Sequence, residues 1–290
     1  MKKPLILLSV FGALAAVITL MLPTFLQMAG LHPHFEGEPI DLAGKRALII
    51  TTSHATLNVP GEPGGEATGV AASEMTQPYY EFLDAGMRVD LASVRGGPIP
   101  IDPSTLGWLV RSWADDRYLE DAEFQRKVAS SAAIADIDPE DYDVIFLSGG
   151  WGAAYDFATS ETLAALLSAA YAAERKPILS GVCHGPLGFV EAVDPEGNRL
   201  IAGRAMTGVT DKQVDELDIH FTPFHPETEL RKAGALFESD TAFMDILANH
   251  VVVDAEERFV TGQNQNAGAE TAHKAMQILV RRARRAEMTP

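Results

Sequence analysis

The only cysteine of this chain lies in a sharp sequence turn, and that turn constrains the fold more than any other feature. An apolar strand over 177–180 leads into Gly181-Val-Cys183-His-Gly185, and a helix-like segment over 187–192 follows. This strand–turn–helix pattern is that of a nucleophile elbow, with cysteine in the position where hydrolases carry serine. Cys183 is therefore predicted to stand at the carboxyl end of a strand, where the dipole of the following helix favours the thiolate.

The rest of the chain alternates between strands and helices. Strands are predicted over 46–52, 88–94, 143–147, 205–209, 251–254 and 258–261, and helices over 70–85, 121–132, 160–174, 226–233 and 267–285. This alternation predicts a doubly wound, mostly parallel α/β sheet with helices on both faces, formed by residues 36–290 with an insertion over about 97–140. Ligands bind such sheets at the carboxyl ends of the strands, where Gly149, Gly150 and Cys183 are expected.

The amino terminus is of a different kind. Lys2 and Lys3 precede 28 uncharged residues over 4–31, which exceeds the roughly 20 residues that cross a hydrocarbon core. Residues 1–35 are therefore predicted to form a single-pass signal anchor and a linker, with cleavage and secretion as the alternative. The positive-inside rule then places the α/β domain outside the cytoplasm, with the membrane as a partner through 4–31.

Composition limits the remaining partners. The net charge of −17 argues against nucleic acid. A single cysteine cannot form an intrachain disulfide, so it says nothing about the redox compartment. Self-association as a homodimer is left open.

A cysteine nucleophile needs a proton carrier and donors for a developing oxyanion. Glu74 lies in an otherwise apolar segment that follows the first strand. If it is buried, its protonated carboxyl can donate a hydrogen bond to the thiolate or carry a proton, whereas an exposed helix position is the alternative. Gly149 and Gly150 offer backbone N–H groups for an oxyanion, or simply form a strand-to-helix turn.

These residues lie in segments with a family pattern. The segments are 46–53, 68–74, 142–152, 181–186 and 260–264. Through them the chain resembles the ThiJ/PfpI family of the class I glutamine-amidotransferase-like superfamily, and most of all its larger glyoxalase III-like and chaperone members. The resemblance implies a flavodoxin-like fold, with Cys183 as nucleophile, His184 as its base, Glu74 beside the sulfur and Gly150 as an oxyanion donor. It also implies action on small reactive carbonyl compounds, either on methylglyoxal, giving lactate without a cofactor, or as a deglycase; no metal is expected.

Two positions depart from the family pattern. Where the resemblance implies Gly-Gly-His-Gly, this chain has Gly149-Gly150-Trp151-Gly152, so Trp151 replaces a polar group at the rim of the site. The acid that orients the histidine is expected at or near Val214, which cannot serve. Asp215 is the neighbouring candidate for that role, although one step along a helix turns a side chain by about 100°.

Three other functions stay open on the sequence. His225-Pro226-Glu227 matches the His-x-Glu motif of the glutamine amidotransferases, for which amide hydrolysis is the alternative, but it follows Cys183 by only 42 residues, earlier than that pattern implies, and also fits an ordinary helix start. Peptidase activity is a further alternative that the family resemblance implies. A metal site of His220, His225 and Glu227 is less consistent, because they form no helical i,i+4 histidine pair. The non-enzymatic alternative is a chaperone module whose cysteine is oxidised reversibly.

Overall fold

The computed structural model describes residues 2–33 and 35–288, with the side chains of the first helix described at residue 14 and from residue 16 onward. The strands are β1 (Arg46–Thr51), β2 (Thr56–Leu57), β3 (Glu66–Ala67), β4 (Arg88–Ser93), β5 (Ala132–Ala133), β6 (Val144–Leu147), β7 (Ile178–Val182), β8 (Ala205–Met206), β9 (Leu236–Phe237), β10 (Val251–Val253) and β11 (Phe259–Gly262). The α-helices are α1 (Lys2–Met28), α2 (Ala72–Asp84), α3 (Trp113–Glu120), α4 (Ala122–Ala129), α5 (Ala153–Asp156), α6 (Glu161–Ala172), α7 (Asp211–Glu216), α8 (Pro226–Lys232) and α9 (Gly268–Met288).

Seven strands form one sheet in the order β10-β11-β7-β6-β1-β4-β5. All neighbouring pairs are parallel except β10 with β11. This sheet fits the predicted flavodoxin-like α/β fold. Because β6 lies between β1 and β7, the loops that follow these three strands meet at one edge of the sheet.

The predicted strand over 205–209 is not part of this sheet. Only Ala205–Met206 is a strand, and it pairs with β9 in a separate two-stranded sheet. The place beside β7 is taken by β11. The chain after β8 turns instead toward the elbow, where the amide of Val209 donates a 3.1 Å hydrogen bond to the carbonyl of Cys183.

Alternating side chains of the central strands divide the core into two layers. Ala47 and Ile49 of β1 face the layer that contains apolar side chains of α2 and α9. Leu48 and Ile50 face the opposite layer, which contains side chains of α5 and α6. All four are fully buried, and burying an isoleucine or leucine side chain stabilises a fold by about 1.5–3 kcal/mol. A sheet covered on both faces therefore supports the loops at its carboxyl edge.

The carboxyl end of the apolar amino-terminal segment packs against the α/β domain. Leu26 and Leu31 line a cavity that also contains Cys183. The amide of His32 donates a 2.7 Å hydrogen bond to Asn266 Oδ1, and the His32 ring bonds to the carbonyl of Val110 at 2.8 Å. These contacts tie the segment to the domain directly after α1.

This packing differs from the free-standing membrane anchor predicted over 4–31. The side chains of 4–13 and of residue 15 lie outside the described residues. Within the part of the chain that is described, no helix has the length and apolar character needed to cross a membrane. The prediction of a transmembrane helix is therefore wrong. The predicted location of the α/β domain outside the cytoplasm, either anchored or secreted, was inferred from the same segment and is withdrawn together with the transmembrane helix.

Candidate active site

The backbone turns sharply at Cys183, directly after β7. Cys183 has a φ of +60°, a left-handed conformation that residues other than glycine rarely adopt and that is often found at functional sites. A Cβ at Gly185 would lie 2.1 Å from the carbonyl oxygen of Leu147, so only glycine allows the chain after the cysteine to pass this close to β6. These features are those of the predicted nucleophile elbow.

The helix after the elbow is shorter than the sequence suggested. It is a 3₁₀-helix over Gly185–Phe189, where a helix-like segment over 187–192 was expected. A helix of so few residues carries only a small dipole. The helix dipole is therefore a weak source of thiolate stabilisation for Cys183.

Two glycines after β6 allow the loop, the elbow and α2 to meet. A Cβ at Gly150, which has a φ of +90°, would lie 2.3 Å from the backbone nitrogen of Ala71. A Cβ at Gly149 would lie 2.5 Å from Glu74 Oε2 and 2.6 Å from the backbone nitrogen of His184. Any larger residue at either position would separate the groups that form the site.

Glu74 lies in the first turn of α2 and is only 2% exposed. Burial raises the pKa of its carboxyl to about 8, although hydrogen bonding with Cys183 and with the amides of Gly149 and Gly150 lowers it in part. At neutral pH the carboxyl is therefore mostly protonated. Its Oε2 atom is buried and has no hydrogen-bond partner among the described residues, which disfavours the charged form of the carboxyl.

The Cys183 thiol does not have the lowered pKa that the sequence suggested. Burial raises its pKa, and the neighbouring Glu74 carboxyl raises it further. Backbone N–H groups of Gly150 and His184 oppose this shift only in part. The Glu74 carboxyl, with a pKa of about 8, is therefore the first of the two groups to lose its proton as the pH rises.

His184 provides the second proton-carrying group. Its Nδ1 atom lies 3.3 Å from Cys183 Sγ. Burial, and secondarily the nearby His225, lower its pKa to about 3, so the ring is neutral and can accept a proton. The Trp151 ring lies against it at 4.9 Å between centroids, while His184 Nε2 has no partner among the described residues. Trp151 thus packs against the imidazole on which an orienting acid was expected to act.

Asp215, the acid predicted from its position beside Val214, does not join this group. Its side chain is exposed on α7, whereas Val214 is buried, and Asp215 does not line the cavity. The roughly 100° step between neighbouring helix positions accounts for this difference.

The His225-Pro226-Glu227 motif has a structural role in this fold. His225 precedes α8 and Pro226 opens it. The Glu227 carboxylate accepts a 3.0 Å hydrogen bond from the amide of Asp211 and pairs with Arg231 at 2.9 Å. Over residues 2–33 and 35–288 no three histidine, cysteine or acidic side chains are grouped as a metal site. His225 lies near enough to His184 to lower its pKa, but neither His225 nor Glu227 lines the cavity beside the sulfur.

A cavity of about 530 Å³ opens onto the sulfur. It brings together five residues selected from the sequence: Glu74, Gly150, Trp151, Cys183 and His184. Gly149 stands behind the Glu74 carboxyl. Most of the remaining wall comes from segments that carried no functional signal in the sequence, because only the tertiary fold brings them to the strand ends.

Comparison with known proteins places this geometry in a family context. The DJ-1/PfpI family matches residues 66–277. Glyoxalase 3 of Candida albicans is 32% identical over 245 residues, which cover 78% of this chain and 95% of that protein. The crystal structure of glyoxalase III from Candida albicans superposes with a TM-score of 0.71 and 26% identity, covering 80% of this chain and 96% of that one. The X-ray structure of Rapid Encystment Protein 24 kDa from Francisella tularensis superposes with a TM-score of 0.72 and 27% identity, covering 81% of this chain and 99% of that one.

Proposed function

Because the chain belongs to the DJ-1/PfpI family, we propose that it is a cofactor-independent enzyme of the glyoxalase III type, which converts a 2-oxoaldehyde such as methylglyoxal into the corresponding 2-hydroxy acid. The observation that carries this proposal is the grouping of three proton carriers at one cavity end. Cys183 Sγ, His184 Nδ1 at 3.3 Å and the buried Glu74 carboxyl stand together there. The glyoxalase names of the Candida albicans relatives support it.

The first step is addition of sulfur to the aldehyde carbon. The thiol proton passes to His184 Nδ1 only as the carbon–sulfur bond forms, since both groups are neutral in the resting site. Glu74 donates its proton to the aldehyde oxygen, which becomes the hydroxyl of a hemithioacetal. Backbone N–H groups of Gly150 and His184, which already approach the sulfur, can stabilise charge that develops beside it.

The second step moves a hydrogen between the two substrate carbons. The Glu74 carboxylate removes the C1 proton while protonated His184 donates to the ketone oxygen, which gives an enediol. Glu74 then returns a proton to C2 as His184 accepts the C1 hydroxyl proton, leaving a thioester on Cys183. Water hydrolyses this thioester, which releases the 2-hydroxy acid and the Cys183 thiol. The proton on His184 then returns to the Glu74 carboxylate, so the resting site is restored and no external oxidant or cofactor is consumed.

The proposal is tested with the full chain and methylglyoxal in the absence of glutathione. Consumption of methylglyoxal and formation of lactate are followed together, with glutamine as a comparison substrate. We expect one lactate for each methylglyoxal consumed, no release of ammonia from glutamine, and no turnover by Cys183→Ala. Asp215→Asn is the matched control, because Asp215 is exposed and does not line the cavity.

Lactate formation by Cys183→Ala at the rate of the unmodified chain would contradict the assigned nucleophile. Glutamine hydrolysis without methylglyoxal turnover would contradict the reaction class.

A further inference from the structure

The cavity beside Cys183 has a small reactive end and an extensive apolar wall. Glu74, Gly150, Cys183 and His184 form the reactive end. The wall is formed by apolar side chains from four segments: the amino-terminal segment, the loop before α3, the turn after α7 and the loop before β10. They include Leu31, Val110, Leu217, Ile219, Met244 and Ile246. Four segments that are distant in sequence thus contribute to one apolar surface.

Three of the polar side chains elsewhere in the wall are already engaged within the protein. Ser104 donates a 2.6 Å hydrogen bond to Asp102 Oδ1, and the Thr105 hydroxyl donates to the carbonyl of Asp102 at 2.7 Å. The Gln265 amide donates to the carbonyl of Ile246 at 2.7 Å. Away from the reactive end, these groups therefore do not single out a polar ligand.

The size of the cavity does not fit the smallest substrate of the proposed reaction. At about 530 Å³ it falls within the roughly 300–1,000 Å³ of pockets that bind drug-sized ligands. Methylglyoxal carries only one methyl group beside its two carbonyls. With methylglyoxal bound, most of the apolar wall would stay in contact with water. The wall would then contribute little binding energy to the reaction.

Cys183 is buried, with 5% of its surface exposed, and it lines this cavity, so the cavity gives a substrate access to the reactive end. Trp151 also lines the cavity, and its ring lies 4.9 Å from the His184 ring at the reactive end. The sequence pattern implies a histidine at that position, so the chain has an apolar surface where a polar group was expected. A substrate held with its carbonyls at Cys183 would direct its substituent along apolar side chains.

We infer that the substrate is a 2-oxoaldehyde with a large apolar substituent, an alkyl chain of several carbons or an aryl ring, which the wall formed by Leu31, Val110, Leu217, Ile219, Met244 and Ile246 receives. This inference rests on the proposed function for the carbonyl chemistry, and on the cavity for the substituent. Each methylene that enters the cavity should raise kcat/KM about fourfold, equivalent to about 0.8 kcal/mol.

The test measures kcat/KM of the full chain for methylglyoxal, n-propylglyoxal, n-hexylglyoxal and phenylglyoxal. In parallel, calorimetry measures the binding of the same compounds to Cys183→Ala, in which they cannot be turned over. We expect both kcat/KM and affinity to rise along the alkyl series and to be high for phenylglyoxal. Equal or falling values along the series, with methylglyoxal turned over, would overturn the inference and leave the proposed function standing.

The glyoxalase reaction can also fail while the inference about the apolar substituent holds. If no compound is turned over but affinity for Cys183→Ala rises with chain length, the apolar ligand class stands and the glyoxalase reaction is refuted. Absence of both turnover and binding would refute both.

Wall variants test the assigned surface directly. Ile246→Asn and Ile219→Asn should each reduce the ratio of kcat/KM for n-hexylglyoxal to that for methylglyoxal by about tenfold or more, since a polar amide in an apolar contact costs more than one methylene. The ratio is insensitive to loss of folded protein. Leu236→Asn, at an apolar position that is 60% exposed and outside the cavity, is the control that should keep the ratio. Unchanged ratios in both wall variants would overturn the inference.

Discussion

Replacing Glu74 by glutamine should make the protein more stable at neutral and alkaline pH while slowing its reaction. Burial raises the pKa of Glu74 from 4.5 to about 8. Between these two values the folded state binds a proton at this position that the unfolded state has lost. Stability therefore falls as the pH rises through this window, and it is highest below the unfolded value of 4.5.

The size of this effect follows from the pKa shift. Each pH unit inside the window costs about 1.36 kcal/mol of unfolding free energy. From pH 4.5 to pH 7 the loss is about 3 kcal/mol at most, because relaxation and the linked Cys183 thiol reduce it. Glutamine does not ionise, so Glu74→Gln should lack this fall. It should also slow turnover strongly, since an amide can neither donate the proton that the addition step requires nor accept the C1 proton in the enediol step.

The assay is urea unfolding at pH 5, 7 and 8.5, followed by tryptophan fluorescence. The difference in unfolding free energy between Glu74→Gln and the unmodified chain should grow by about 2–3 kcal/mol from pH 5 to pH 8.5. A constant offset from altered hydrogen bonding does not affect this comparison. Glu120→Gln, at an exposed end of α3, is the matched control with no such change. Parallel pH curves for Glu74→Gln and the unmodified chain would refute the buried, protonated carboxyl.

Three further outcomes are expected. kcat/KM should fall as the pH rises through about 8, because the Glu74 carboxyl then loses the proton that it donates to the aldehyde oxygen; a value that keeps rising from pH 6 to 9 would contradict this. Gly150→Ala should lower stability by about 1–3 kcal/mol and abolish turnover, because φ is +90° and the new Cβ would lie 2.3 Å from Ala71 N; an unchanged unfolding midpoint in urea would count against it. Phe146→Ala should cost about 3–5 kcal/mol in urea unfolding, since the Phe146 side chain on β6 is fully buried and packs against the ring of Phe82; a loss below 1 kcal/mol would show that the core closes around the gap.

The sequence predicted the central sheet well because its signal is local. Strands such as β1 and β7 are short apolar runs bounded by turn residues. The spacing of the glycines around the cysteine likewise indicates the close backbone packing of the elbow. The segment over 205–209 was misassigned for the opposite reason. Its apolar character suits a strand, but only the tertiary fold shows that β11 already occupies the place beside β7.

The candidate site was predictable to the extent that its residues lie at strand ends. Gly150, Cys183 and His184 follow β6 and β7 directly, and Glu74 lies in the first turn of α2, so their meeting at one edge follows from the topology. The pKa of Cys183 was not predictable, because its main cause is burial by residues from other segments. The apolar wall was missed for the same reason, since side chains such as Ile219 and Met244 show no periodicity that marks a binding surface.

The most direct test of the central claim is proton NMR of the product formed by the full chain from methylglyoxal in D₂O. Proton transfer through Glu74 and His184, whose acidic protons exchange with solvent, predicts lactate that carries deuterium at C2, and none from Cys183→Ala. Absence of lactate, or lactate whose C2 retains only the hydrogen that the substrate carried at C1, would contradict the assignment of these three residues to an enediol reaction.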